Sequence, residues 1–428
     1  MLRWPVSEMK SVLLLASVLS AVSVSAAVKD VTSKMENLGI PYAQRFADKA
    51  YNGSGCYARN VWALKAFEGR LYIGAGNSSN GGPASNAGPV PVISYLPKTK
   101  KFETEWTVPD EQIDIFHVLG KGDLYIPGHD PKEDWSLGNL YRRAAKAKGD
   151  KAWEKLRSLP DGVHCYDCDE FDGKIIACGY GTYESSDNGK TFSHKNGSRY
   201  YSLFRFPKSI YAMGVASPEG TGKYKGKDGK ERQFKRPAYF AVSRKQSGKD
   251  FEICQGAKSD NAFPDTPELK TEQLKACRPS AIKDRLVYIG GIVHNDHQIQ
   301  PLAAYTAVDG PSMFKAERVK LPEGAVPWYT ASVGKKVLIL WATKDGRKQP
   351  YVNHVSSSTD GVKFTEEFSF EAPTFARSVE YLDGYLYFGL GTEIKEHGHF
   401  EGNSLKLKFA ASELDHASGT LLRCRYTP

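Results

Sequence analysis

A strand-turn-strand pattern recurs seven times along the chain, and a repeat of this kind restricts the fold more than any composition does. The copies are FEGRLYIGAG (Phe67 to Gly76), LGKGDLYIPG (Leu119 to Gly128), FDGKIIACGYG (Phe171 to Gly181), FPKSIYAMG (Phe206 to Gly214), IKDRLVYIGG (Ile282 to Gly291), VGKKVLILWA (Val333 to Ala342) and LDGYLYFGLG (Leu382 to Gly391). Each ends one apolar strand, turns on Gly, Asp or Lys, and opens a strand that finishes in small residues. The first apolar residues after the turns are Leu71, Leu124, Ile175, Ile210, Leu286, Val337 and Leu386, spaced 53, 51, 35, 76, 51 and 49 residues apart. One four-stranded sheet per repeat fits that spacing, so the expected fold is all-β: a single β-propeller of seven four-stranded blades, with six as the alternative. The seventh repeat has only three strands before the chain stops, so its fourth must come from residues before Arg59, closing the ring with N- and C-terminal strands.

With 428 residues and 40% apolar content the chain can bury a large core, and disorder is excluded. Arg3 and Lys10, the apolar run Val12 to Val24 and the small residues Ser25 to Ala27 read as a signal peptide over 1–26, leaving 27–428 as one domain of a secreted or periplasmic protein. No later run is long enough to span a bilayer, and a monomer is expected. Seven cysteines include two candidate pairs, Cys254 with Cys277 around a Pro-containing excursion, and Cys56 with Cys424 near the two ends that must meet. The net charge of +9 favours anionic partners, and the insertion 218–236 carries seven Lys and Arg against three acids. A lone Lys- and Gly-rich loop is expected to be solvated, and nucleic-acid binding is not expected.

The octet SSDNGKTF (Ser185 to Phe192) recurs more loosely as STDGVKF (Ser358 to Phe364), SRKQSGKDF (Ser243 to Phe251) and TAVDGPSMF (Thr306 to Phe314). Ser185, Asp187, Gly189, Thr191 and Phe192 resemble the Asp-box, S-x-D-x-G-x-T-F/W, of the sialidase-like, bacterial-neuraminidase-repeat propellers. The residue types suit a hairpin staple: Asp187 accepts from amides of its own turn, Gly189 takes a positive φ and Phe192 packs between sheets. The resemblance implies that the box sits on the blade periphery, away from any catalytic mouth.

Ligand sites of propellers lie at the mouth of the central channel. Arg59, Arg199, Arg278 and Arg377 fall at first-strand starts, and a carboxylate or sulfate clamp of Arg59, Arg278 and Arg377 is expected, as the resemblance to sialidases also implies. FRFP (Phe204 to Pro207) is similar to a sialidase signature but follows the first Asp-box instead of preceding it. The loop NSSNGGPASNAG lacks the acid a sialidase would place there. Asp130 or a rim histidine is a candidate acid, and Tyr329 or Tyr381 a candidate nucleophile. Second-to-third strand connections also gather His129, His294, His297, His397 and His399; the last four are candidate ligands for a divalent metal, although no cofactor is required. The expected function is a glycoside hydrolase acting on acidic glycans. The alternatives are a non-catalytic propeller binding glycan or protein, and a metal-assisted polysaccharide lyase.

Overall fold

The computed structural model describes residues 28–47, 55–78, 86–129, 133–225, 230–293, 299–392, 398–401, 404–407 and 416–428. The expected leader, Asp130, His294, His297 and His397 lie outside the described residues. Among those described, the fold is all-β and propeller-like, and no helix is long and apolar enough to cross a membrane.

Each repeat forms an antiparallel strand group. Ala63–Phe67, Arg70–Gly74, Val90–Leu96 and Lys101–Val108 pair in sequence order; so do His117–Leu119, Asp123–Pro127, Leu137–Arg143 and Trp153–Pro160. The third repeat departs from the four strands expected. Lys174–Ser185 runs as one strand, pairing with Asp167–Phe171 through its first half and with Ser193–Arg199 through its second. Its glycines permit this by close approach instead of by reversing the chain. A side chain at Gly179 would meet the His164 carbonyl at 2.1 Å, and one at Gly181, where φ is +126°, the Lys195 carbonyl at 2.4 Å.

The fourth and fifth repeats, Ser202–Ile253 and Leu274–Arg318, are joined into one sheet at Ala216 and Leu274. The sixth spans Val326–Ala372 and takes Lys29–Asp30 as an added parallel edge. In the seventh, Ala376–Leu382, Tyr385–Leu390 and Leu421–Arg425 receive Glu36–Gly39 as a fourth, antiparallel strand. Arg423 anchors that strand by two hydrogen bonds to Glu36 Oε2, 2.7 and 2.8 Å. The basic insertion, expected as a loop, forms a separate two-stranded sheet of Gly220–Lys225 and Glu231–Arg236.

The core sits between neighbouring strand groups. Alternation gives each strand two apolar faces, one for each neighbour. Leu119, Tyr125 and Leu140 of the second repeat thus meet Ile175, Ala177 and Tyr183 of the third, and Phe204 and Tyr211 of the fourth meet Tyr288 and Phe314 of the fifth. Trp106 stacks on Trp153 between the first and second, with ring planes 5° apart.

The octets join the last two strands of their groups, and those at Ser185 and Ser358 form the staple their residue types suggest. Ser185 Oγ donates to Asp187 Oδ1 at 2.7 Å, while Thr191 N and Oγ1 donate to the same carboxylate at 2.9 and 2.7 Å. Gly189 has φ +86°, and Phe192 packs edge-on to Tyr183. At the second copy Asp360 accepts from Ser358 Oγ and from the amides of Val362 and Lys363.

These bonds hold both carboxyls down to about 2, led in each case by backbone amides, at Asp187 that of Thr191 and at Asp360 that of Val362. Because the folded values lie below the ordinary one, the stability they contribute is present above pH ~4 and is lost as pH falls toward 2. Urea unfolding of wild type between those pH values will show this loss, and Asp187→Asn and Asp360→Asn together will flatten it.

None of the described cysteines forms a disulfide, so the pairs expected for Cys56 with Cys424 and Cys254 with Cys277 are not formed. Cys424 is packed into the apolar contact between the sixth and seventh groups, and Cys56 lies in the short helix Gly55–Ala58.

Candidate functional site

The first strands of three successive groups each carry a β-bulge near the start. One extra residue intervenes between Cys277 and Ser280, one between Pro327 and Tyr329, and one between Ala376 and Ser378. A bulge re-aims the side chain it carries. Arg278, Trp328 and Arg377, the residues at these three sites, all line a single cavity. Arg278 is held at φ +55°, a left-handed conformation costly for a residue with a Cβ, and it precedes a proline, which restricts it further.

Other groups complete the wall: Trp62 from the first, Asp114 and His129 from the second, Tyr166 and Asp167 from the third, Tyr201 and Ser202 from the fourth, and Lys275 beside Arg278 in the fifth. The cavity has a volume of about 50 Å3, room for a few waters or one small polar group.

Its cations rest on aromatic rings. The Arg377 guanidinium lies 4.3 Å from the centre of Trp62 and 5.2 Å from that of Trp328, and donates to the Thr392 carbonyl at 3.2 Å. Arg278 lies 4.7 Å from the ring of Tyr329 and donates to the Trp62 carbonyl at 2.8 Å. Lys275 Nζ lies 4.8 Å from the ring of Tyr201. Such stacking orients a cation without itself neutralising it.

The acids differ in how far they are engaged. Asp167 joins three groups: its Oδ1 contacts His117 Nε2 at 2.8 Å and accepts from Cys168 N at 2.9 Å, and its Oδ2 accepts from Leu203 N at 2.8 Å. Asp114 Oδ1 accepts one amide proton, from Gln112 Nε2 at 3.0 Å. Burial pushes the imidazoles of His129 and His164 below the ordinary range, His164 to about 3, so both are neutral at pH 7.

The expected site residues separate accordingly. Arg278 and Arg377 come together at the cavity. Arg59 is not among its lining residues: it is buried and donates to the carbonyls of Ser418 and Phe46 at 3.2 and 2.9 Å, where it braces the segment before the first strand. Tyr329 lies beneath Arg278; burial, partly offset by that guanidinium, pushes its phenol up to about 12. A phenol held neutral is a poor nucleophile unless a base takes its proton. Asp130, His294, His297 and His397 lie outside the described residues, and His399 falls on the strand Gly398–Glu401, where its side chain is not described. Among the described residues no group of three or more His, Cys, Asp or Glu is placed to hold a metal ion.

Sequence reasoning passed over Trp62, Trp328, Tyr166, Tyr201, Lys275 and Asp114. The signal for two of them was adjacency: Trp328 follows Pro327 in a strand-start PWY, and Lys275 lies three residues before Arg278. Pro279 inside a strand pattern was a sign of the bulge itself.

No family model matches this chain, and no curated protein matches it. Among solved structures it is similar to virginiamycin B lyase from Staphylococcus aureus, at 10% identity over 92% of this chain and 99% of that one, with a TM-score of 0.42. It is also similar to the Neurospora crassa Pan2 WD40 domain, at 11% identity over 84% and 94%, TM-score 0.47. A third is YCF48 from Cyanidioschyzon merolae, at 9% identity over 92% and 99%, TM-score 0.44. The propeller-like description rests on the strand pairing set out above.

Proposed function

We propose that this chain is a secreted, seven-bladed propeller of the Asp-box type whose central mouth binds the acidic end group of a glycan. The observation that carries the reading is the convergence of Lys275, Arg278 and Arg377 on one small aromatic-walled cavity, two of them aimed there by bulges. Arginine forks match the two oxygens of a carboxylate or sulfate. The ring is supported by Tyr387 and Leu421 of the seventh group, which share a core with Tyr95 of the first, and by Glu36–Gly39 as the seventh group's fourth strand. The hydrogen-bonded octets support the Asp-box reading, and residues 1–26 support export.

Calorimetric titration with uronic, sialic and sulfated monosaccharides tests it. Binding of at least one, lost in Arg377→Ala and kept in Arg59→Lys, is expected; no binding by any of the three refutes it.

Hydrolysis of the same ligand is the second reading, favoured by Asp114 and Asp167 lining the same wall. Asp114→Asn would then keep binding and stop product release. The lyase reading rests on His294, His297 and His397, outside the described residues, and on His399, whose side chain is not described.

A further inference from the structure

The rim beside the cavity carries a continuous run of aromatic and cationic side chains leading away from it. Tyr166 and Tyr201, both in the cavity wall, have ring centres 4.6 Å apart. The Arg199 guanidinium lies over both, at 5.2 and 5.5 Å, and at 4.9 Å over Tyr180, which is 42% exposed. Ser198, next in the chain to Arg199, bonds through its hydroxyl to the phenol of Tyr239, itself 53% exposed. Tyr239 pairs with Ser217, and these two positions flank the basic hairpin Gly220–Arg236 on either side.

The hairpin extends the run. Strand alternation puts Arg232, Phe234 and Arg236 on one face, and all three are exposed. Phe234 pairs with Gly222, where any Cβ would come within 2.4 Å of the ring. The Phe234 ring thus occupies the space that a side chain at position 222 would need. Two guanidiniums separated by an aromatic platform repeat the arrangement at Arg199 and at the cavity.

We infer that this rim and hairpin are a track for an acidic polysaccharide whose terminal acid group enters the cavity. The chain leaves past Tyr201 and Tyr180, crosses Tyr239, and lies along Phe234 between Arg232 and Arg236. The inference rests on the cavity taking the acid group of a sugar. A track of alternating rings and cations suits a polymer in which each pyranose offers an apolar face and each acid group a partner for Arg. A lipid surface suits it less, because the run begins in the cavity wall, at Tyr166 and Tyr201, where a flat bilayer does not reach.

The test compares galacturonic acid, a polygalacturonate octamer and vesicles with 30% anionic lipid (about one charge in three headgroups) as probes of the full chain. Wild type is expected to bind the octamer at least about tenfold more tightly than the monomer, with a gain that shrinks in high salt. Arg232→Glu with Arg236→Glu is expected to remove that gain and leave monomer affinity unchanged; both side chains are on the solvent face, so thermal unfolding should match wild type. Tyr239→Ser, in the middle of the track, is expected to remove part of the gain. Unchanged octamer affinity in the double variant, with the monomer still bound, overturns the track alone. Failure of wild type to bind either galacturonic acid or the octamer overturns the track, and it overturns the cavity reading as well when sialic and sulfated monosaccharides also fail to bind. Vesicle binding that the double variant loses and the octamer does not compete for overturns the polysaccharide in favour of a membrane.

Discussion

Replacing Arg278 with alanine will weaken the binding of an acidic sugar by about two orders of magnitude, the scale of a buried charged contact at the centre of a site. Arg278→Lys will recover only a small part of this, because an ammonium keeps the charge but not the fork or the stacking on Tyr329. The same residue tests whether the backbone is strained for function. With φ at +55°, a glycine here should fold more stably than the alanine by about 1 kcal/mol, although neither binds ligand. Equal unfolding midpoints for Arg278→Gly and Arg278→Ala would show that the bulge carries no strain, and retained affinity in Arg278→Ala would remove it from the site.

Deleting residues 1–39 will lower stability by about 3 kcal/mol or more, the other large effect expected. Two strands go with that segment, Glu36–Gly39 from the seventh group and Lys29–Asp30 from the sixth, so two sheet edges open at once. Arg423, nearly buried, also loses the Glu36 carboxylate that holds it, and a buried guanidinium without its partner is costly. Glu36→Ala isolates that last term and should show a smaller loss, since Glu36 itself is partly exposed. Chemical denaturation with tryptophan fluorescence measures both. A truncated chain as stable as the full one would show that the seventh group does not depend on its borrowed strand.

Much of the architecture could be read from the chain because it depends on local periodicity. Each turn of Gly, Asp or Lys between two alternating strands specifies its own hairpin, and the shortage of one strand in the seventh repeat implied a donor before Arg59. The octet was read correctly for the same reason: Ser185, Asp187 and Thr191 bond almost entirely to one another. Where the reading failed, a residue served a purpose set by a distant neighbour. Gly179 and Gly181 read as the small residues that finish a strand, but the strand runs on through them because their missing side chains make room for the carbonyls of His164 and Lys195. Arg59 looked like a ligand clamp, but its partners are carbonyls at Phe46 and Ser418. The insertion 218–236 looked like solvated loop because its composition hid the pairing of Gly222 with Phe234.

The sequence by itself determined the all-β repeat, the staples at the octets and the need for a strand shared between the ends, since each follows from contacts between residues close in the chain or from a count of strands. Which arginines face one another was decided only in three dimensions. A bulge of one residue turns a side chain from the sheet face toward the cavity, and whether it is tolerated depends on the opposite strand. Arg278, Trp328 and Arg377 therefore became a site through pairings with Ile289, Trp341 and Leu390 and their neighbours, which no local pattern could announce.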